Sequence, residues 1–358
     1  MEFSPGAEKI LFFCRGRGSG HAIPDIEVVR ELEYVRPRAE VFFVSYGTGA
    51  KTLAEHGHKV IDIQLPELNS LLDVIVIASK LVGALNPDLV MSHEEFGALP
   101  AAAVFDKPAI FLTDWFVDQD RIIMGSLRYA DQILFADWEG CFQEPPQAQG
   151  KTSYVGPIFR KFEYSTSDRA RARAELDVPD DAAVIAVLPG GYATEDKAPI
   201  AEVVLGAFEL LESPRKRLIW VAADEDLEPL RERTRELEGV RIMTREWRID
   251  RLMVASDVAV TKANRKTVLE LESLGVPSVA LSPGLNPIDD ARARICEGVR
   301  FRLIEDLKLE ELAADLEAAI ARGPLTVERA GGPRAATLVA QSLADALERL
   351  QPNGGSVG

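Results

Sequence analysis

The sequence is short of the residues that build metal centres and disulfide scaffolds. Cys14, Cys141 and Cys296 are an odd set without metal-ligand spacing, and the chain has only four histidines. The cysteines exclude a disulfide framework and point to a reducing compartment. His56-Gly57-His58 brings two imidazoles together but offers too few partners for zinc. Positive charge is also in deficit: 41 basic against 57 acidic residues leave a net charge of −16. Such a chain does not collect on nucleic acid or anionic lipid through its overall field, although that argument leaves room for a local basic patch. No uncharged apolar run reaches about 18 residues, so no transmembrane helix is expected. Residues 1–8 lack the basic-then-apolar order of a signal peptide. The expectation is a cytoplasmic protein.

What is present is ordinary soluble composition, 47% hydrophobic and 27% charged, over 358 residues. That length suits two domains better than one core. Ile10, Leu11, Phe12 and Phe13 form a continuous apolar run, which reads as a strand buried on both faces. A glycine-rich turn follows, then a helix through residues 25–32. Further strands read at 41–44, 60–63, 87–91, 109–112 and 132–135. Pro145-Pro146 and Gly156-Pro157 punctuate an irregular stretch, and the pattern restarts with strands at 183–188, 218–221, 240–243, 258–260 and 278–281. A last helix over 335–350 carries Leu338, Val339, Leu343, Ala346 and Leu350 on a helical period. The alternation predicts an α/β protein with two Rossmann-like domains, 1–160 and 161–334, the final helix packing back on the first. Ligands bind such sheets outside the carboxyl ends of the strands, so a cleft between facing domains is the expected site.

Two segments carry candidate chemistry. The first is Arg15-Gly16-Arg17-Gly18-Ser19-Gly20-His21, between the first strand and its helix. A dinucleotide fingerprint fails, because His21 stands where the third glycine belongs; a P-loop fails for want of Gly-Lys-Ser/Thr. What remains is a tight turn delivering His21 to a helix N-terminus, whose positive pole favours the neutral imidazole that a general base needs. The alternative is a structural turn whose histidine caps the helix. The second segment runs from Asp257 to Asp290. A short strand enters the polar turn Lys262-Ala263-Asn264-Arg265-Lys266-Thr267, where helix-end N–H groups and cationic side chains suit a diphosphate. Glu270, one turn on, is placed to accept hydrogen bonds from ribose hydroxyls. Asp289 and Asp290, on the loop after the next strand, suit sugar hydroxyls. The bland alternative is a capped surface helix with a charged face.

At this point the chain resembles a known superfamily. Gly18-Ser19-Gly20-His21-Ala22-Ile23-Pro24, Thr113-Asp114, Tyr154-Val155-Gly156-Pro157, Leu188-Pro189-Gly190-Gly191 and the segment from Asp257 to Asp290 are similar to motifs of the GT-B glycosyltransferases. The branch is that of the peptidoglycan lipid-intermediate N-acetylglucosaminyltransferases and diacylglycerol glycosyltransferases. The resemblance implies a UDP-sugar donor and an inverting, metal-independent transfer to a hydroxyl of a small or lipid-linked acceptor, without a cofactor. It places ribose on Glu270, diphosphate on residues 264–267, the base near Trp247 and Arg248, and the sugar at Asp289 and Asp290. Gly190 and Gly191 open the donor domain. His21 is its candidate catalytic base with Asp114 beside it, and Gly18, Ser19, Gly20, Glu94 and Glu95 lie on the acceptor side. Two departures bear on the donor sugar: Ala263-Asn264-Arg265 replaces a smaller diphosphate turn, and Asp289-Asp290 replaces a glutamine. A nucleotide-sugar hydrolase or epimerase, or a non-catalytic donor-binding subunit, are the competing functions.

Other signals carry less. Asp118-Gln119-Asp120 and Asp224-Glu225-Asp226 match an Asp-x-Asp metal motif, a cheap match among 57 acidic residues, so no metal site is expected. His93-Glu94-Glu95 follows a strand end and reads as a cap for a helix over 96–103 or as an acceptor contact. Leu68, Leu71, Leu72, Ile75, Leu81, Val82 and Leu85 make an apolar stripe that reads as core, with peripheral membrane contact as the other use.

Overall fold

The computed structural model describes residues 3–18, 20–66, 69–116, 121–140, 142–189, 198–223, 226–244, 248–285, 287–323 and 333–350. The chain divides into two compact units, residues 1–161 with 331–358, and residues 162–330.

The first unit runs β1 (Glu8–Cys14), α1 (Ala22–Val35), β2 (Ala39–Ser45), α2 (Gly47–Glu55), β3 (Val60–Asp62), α3 (Leu71–Leu85), β4 (Leu89–His93), α4 (Ala98–Val104), β5 (Ala109–Thr113), α5 (Arg121–Gly125), β6 (Gln132–Phe135) and β7 (Thr152–Tyr154). Its sheet has the order β3-β2-β1-β4-β5-β6-β7, every pairing parallel. Parallel strands covered by crossover helices bury both faces, which explains the unbroken apolar runs. In β1, Ile10, Phe12 and Cys14 enter one core with Ile26 and Val29, while Leu11 and Phe13 enter the other with Val82 and Leu99.

The second unit runs α6 (Arg169–Glu175), β8 (Ala183–Leu188), α7 (Ala198–Leu210), β9 (Lys216–Val221), α8 (Leu227–Thr234), β10 (Val240–Met243), α9 (Ile249–Ala255), β11 (Val258–Lys262), α10 (Arg265–Ser273), β12 (Ser278–Ser282), α11 (Pro287–Ile295), β13 (Val299–Leu303) and α12 (Leu309–Arg322). Its parallel sheet has the order β10-β9-β8-β11-β12-β13. The final helix α13 (Pro333–Leu350) belongs to the first unit. There Val339 and Leu343 join the core of α1, and Thr337 donates a 2.8 Å hydrogen bond to Glu31.

In each sheet the strand order reverses once, beside β1 in the first and beside β8 in the second. Such switch points are where open α/β sheets bind ligands. Both segments singled out in the sequence end there: Cys14 pairs with His93 across β1 and β4, and Thr261 pairs with Leu188 across β11 and β8.

The core reading of α3 holds for part of the stripe. Val82 is buried, and half-buried Leu71, Leu81 and Leu85 pack against the same core; Ile75 is half-buried, Leu72 is 71% exposed, and Leu68 lies outside the described residues. The helix is apolar nearly all round, and its buried residues are Val74, Ala78 and Val82. No helix among the described residues is long and apolar enough to cross a membrane.

Candidate active site

The turn after β1 is built by glycine for two different reasons. A Cβ on Gly16 would sit 2.2 Å from the Tyr46 carbonyl oxygen, and the Gly49 N–H donates to Gly16 O at 3.0 Å. Gly18 adopts φ +63°, a left-handed conformation that side chains disfavour. Gly20 has nothing among the described residues within 4 Å of a Cβ position, and Ser19 lies outside them. His21 occupies the N-cap position of α1 but makes no side-chain cap, so the capping alternative does not describe it. Its Nε2 lies 2.9 Å from Glu94 Oε2.

Glu94 is the centre of this arrangement. It follows β4 in a left-handed conformation, φ +54°, which costs a side-chain-bearing residue about 1–2 kcal/mol. The expected cap of α4 is therefore corrected as well: that helix has Gly97 at its N-cap and no side-chain cap, and Glu94 turns elsewhere. Besides His21, its carboxylate meets the Thr113 hydroxyl at 2.9 Å, the Trp115 indole N–H at 3.2 Å, the Asp114 backbone N–H at 3.3 Å and Arg15 Nη1 at 3.4 Å. Burial alone would push its carboxyl up. The charge and hydrogen bond of His21, with the charges of His93 and Arg15, overcome this and hold it well below the usual carboxylate range. A carboxylate at 2.9 Å stabilises the imidazolium that His21 would become on taking a proton.

Glu95 goes the other way. Burial raises it to about 7, against the Tyr46 hydrogen bond and the Arg15 charge that favour ionisation. Tyr46 OH donates to Glu95 Oε2 at 3.0 Å, and the phenol is itself pushed up by burial and by the Glu95 charge. Behind His21, Asp25 Oδ1 lies 2.6 Å from His93 Nδ1, and both residues are enclosed. The structure thus brings His21, Glu94 and the Asp114 backbone together, and adds Arg15, Tyr46, Asp25, Thr113 and Trp115. None of these five stood out as a site residue in the sequence. The signal available for Trp115 and Thr113 was their place around Asp114, at the end of β5.

The second unit holds the other expected residues. Asn264 caps α10, its side-chain oxygen accepting from Thr267 N at 2.7 Å and its amide donating to Lys262 O at 3.0 Å. Thr267 N–H is therefore already satisfied, a correction to the expectation that it holds phosphate. Glu270, on the second turn, is buried, and so is Lys262 at the end of β11. Lys266 is half-buried. Arg265 pairs with Asp289, Nε to Oδ1 at 3.1 Å. Asp289 and Asp290 stand in the first turn of α11 and not on a loop. Asp290 is 9% exposed, and its Oδ1 has no hydrogen-bond partner among the described residues. Arg248 stacks on Tyr164, 5.0 Å from the ring centroid, and pairs with Glu163 at 3.3 Å. Gly190, Gly191 and Trp247 lie outside the described residues, as do Asp118-Gln119-Asp120 and Asp224-Glu225.

No family model matches the chain. Among curated proteins, a UDP-N-acetylglucosamine–N-acetylmuramyl-(pentapeptide) pyrophosphoryl-undecaprenol N-acetylglucosamine transferase of Carboxydothermus hydrogenoformans is 20% identical over 295 residues, 76% of this chain and 76% of that protein. The crystal structure of Acinetobacter baumannii MurG matches with a TM-score of 0.65 at 14% identity, covering 94% of this chain and 99% of that one. A putative UDP-N-acetylglucosamine 2-epimerase from Listeria monocytogenes matches with a TM-score of 0.66 at 14% identity, covering 96% and 97%. The structural likenesses show the fold, which is shared across activities. With the sequence relatives added, the chain is a glycosyltransferase with the GT-B fold, similar to the peptidoglycan N-acetylglucosaminyltransferases.

Proposed function

We propose that the protein transfers a sugar from a UDP-sugar to a hydroxyl of a small or lipid-linked acceptor, with inversion and without a metal ion. The observation that carries this reading is the contact of half-buried His21 with buried Glu94 at the switch point of the first unit. With Nε2–H turned to Glu94, Nδ1 is the ring atom left to take the acceptor proton as the hydroxyl oxygen attacks the anomeric carbon, and this enclosed atom has to open to the acceptor for the step to occur. The bond to the diphosphate breaks from the opposite side, its electron pair leaving with UDP. The imidazolium so formed lies against an anion already fixed by the Thr113 hydroxyl, the Trp115 indole and the Asp114 N–H, so the charge develops where it is stabilised. Donor binding falls to the second unit. Glu270 takes the ribose hydroxyls, and the end of α10 with Lys262 and Lys266 takes the diphosphate. The buried Asp290 Oδ1 accepts from the sugar.

The test is turnover of a panel of UDP-sugars with and without hydroxyl acceptors, in EDTA. The expected result is acceptor-dependent UDP release with an inverted anomeric product, unchanged by EDTA. In His21→Ala the rate should fall by about 10²–10⁴-fold with donor affinity kept. Loss of turnover in EDTA, restored by magnesium, overturns the metal-free reading. Sugar hydrolysed or epimerised without acceptor favours the epimerase-like alternative, which the structural match to such a protein motivates.

A further inference from the structure

His93 has no part in the transfer just described, yet it is 1% exposed and packed against the residue that does. Its ring lies edge-on to His21, centroids 4.7 Å apart at 72°. Asp25, fully buried, accepts from His93 Nδ1 at 2.6 Å. This hydrogen bond puts the ring's proton on Nδ1 and the lone pair on Nε2. Nε2 is buried and has no hydrogen-bond partner among the described residues. A buried acceptor left unpaired forfeits the hydrogen bond it had in water, so a cation that it could bind would repair a defect. A carboxylate fixing one imidazole nitrogen while the other faces inward is how metal-binding histidines are oriented.

The neighbours complete a ligand set. One ligand atom from each of His21, His93 and Glu94 lies within 4.8 Å of the other two. A tetrahedral ion with ligands at about 2.0–2.1 Å holds them about 3.3 Å apart. The 2.9 Å His21–Glu94 contact needs to open by a few tenths of an ångström, and the widest separation, within 4.8 Å, needs to close by no more than about 1.5 Å. We propose that His21, His93 and Glu94 form a binding site for a divalent transition metal of the zinc class, with Asp25 as the outer carboxylate.

Two imidazoles and one carboxylate suit zinc or cobalt and not magnesium or calcium, which take oxygen ligands. Asp25 and Glu94 offset the ion's charge, while Arg15, 3.4 Å from Glu94, opposes it; its side chain is 30% exposed and has room to move off. The metal takes the place of the proton that His21 shares with Glu94. A neutral ring bound through Nε2 carries its proton on Nδ1 and can accept no other, so the ion silences transfer. This consequence rests on the proposed role of His21 as base; the binding itself does not.

The test uses the metal-stripped full-length chain, titrated with zinc or cobalt and read by imidazole ¹⁵N resonances, of which four histidines give a tractable set. The expected result is one ion per chain, with His21 and His93 signals moved and His56 and His58 unmoved. Cobalt should show a tetrahedral ligand-field band that zinc displaces, and Asp25→Asn should weaken binding about 10–100-fold. Shifts confined to His56 and His58, no stoichiometric binding, or full affinity in His93→Ala overturn the site. Zinc that moves His21 and His93 without slowing turnover leaves the metal site standing and removes His21 as the base.

Discussion

Glu95 offers a stability measurement with a definite sign. Its carboxyl is raised from 4.5 to about 7, first by burial. Each pKa unit is about 1.4 kcal/mol, so holding the ionised form in the native state costs about 3 kcal/mol. A folded pKa above the unfolded one means that the native state binds the proton more tightly. The stabilisation is complete below pH 4.5 and is lost as pH rises through 7. Between pH 5.5 and pH 8 the wild-type first unit should lose about 2 kcal/mol through this group. Glu95→Gln keeps an oxygen for the Tyr46 hydroxyl and removes the titration. Its advantage over wild type should therefore grow by about 2 kcal/mol over that pH range. Hydrogen exchange of the β1 and β4 amides, corrected for intrinsic rate, reports the first unit alone. An advantage that is the same at both pH values would refute the reasoning, as would a Glu95 carboxyl ¹³C titration centred near the ordinary value.

Neighbouring Glu94 should behave oppositely. Its folded pKa is depressed, so its contribution is present above the unfolded value and lost as pH falls through the folded one; Glu94→Gln should cost about 3–5 kcal/mol near pH 7 and progressively less in acid, by the same exchange measurement. Glu270→Ala should weaken UDP binding by about 1.5–3 kcal/mol in calorimetry, and unchanged affinity would remove it from the ribose. Asn264→Ala removes the α10 cap and should cost about 1 kcal/mol in denaturant unfolding of the second unit, while releasing the Thr267 N–H.

Much of the fold was legible because parallel strands buried on both faces read as unbroken apolar runs, as Ile10 to Phe13 and Ala183 to Leu188 do. Two strands escaped. β7 is three residues long, and β13 interleaves Arg300 and Arg302 with half-buried positions at the edge of its sheet, so neither carries the buried-strand signature. The apolar stripe of α3 was read correctly at Val82, Leu71, Leu81 and Leu85 but not at exposed Leu72, because hydrophobicity spread round a helix does not say which side is covered. At the site, local pattern located His21 after its glycine turn and Glu94 after its strand, but not their meeting. They are 73 residues apart, and only the out-of-order pairing of β1 with β4 joins them. The Asp25–His93 contact depends on the same crossing. On the donor side the distances are short, so Asn264, Glu270 and their helix could be placed directly; Arg265 being held by Asp289 could not, since that pairing needs α10 beside α11.

The return of α13 to the first unit makes the order of synthesis differ from the order of completion. Residues 162–330, a whole unit, leave the ribosome before the 18 residues of α13 do. Until then the side of α1 that Val339 and Leu343 cover has no partner from that helix. The half of the protein made first is thus the half finished last. A premature stop just before residue 333 would spare the sheet of the second unit and injure the one that begins at β1.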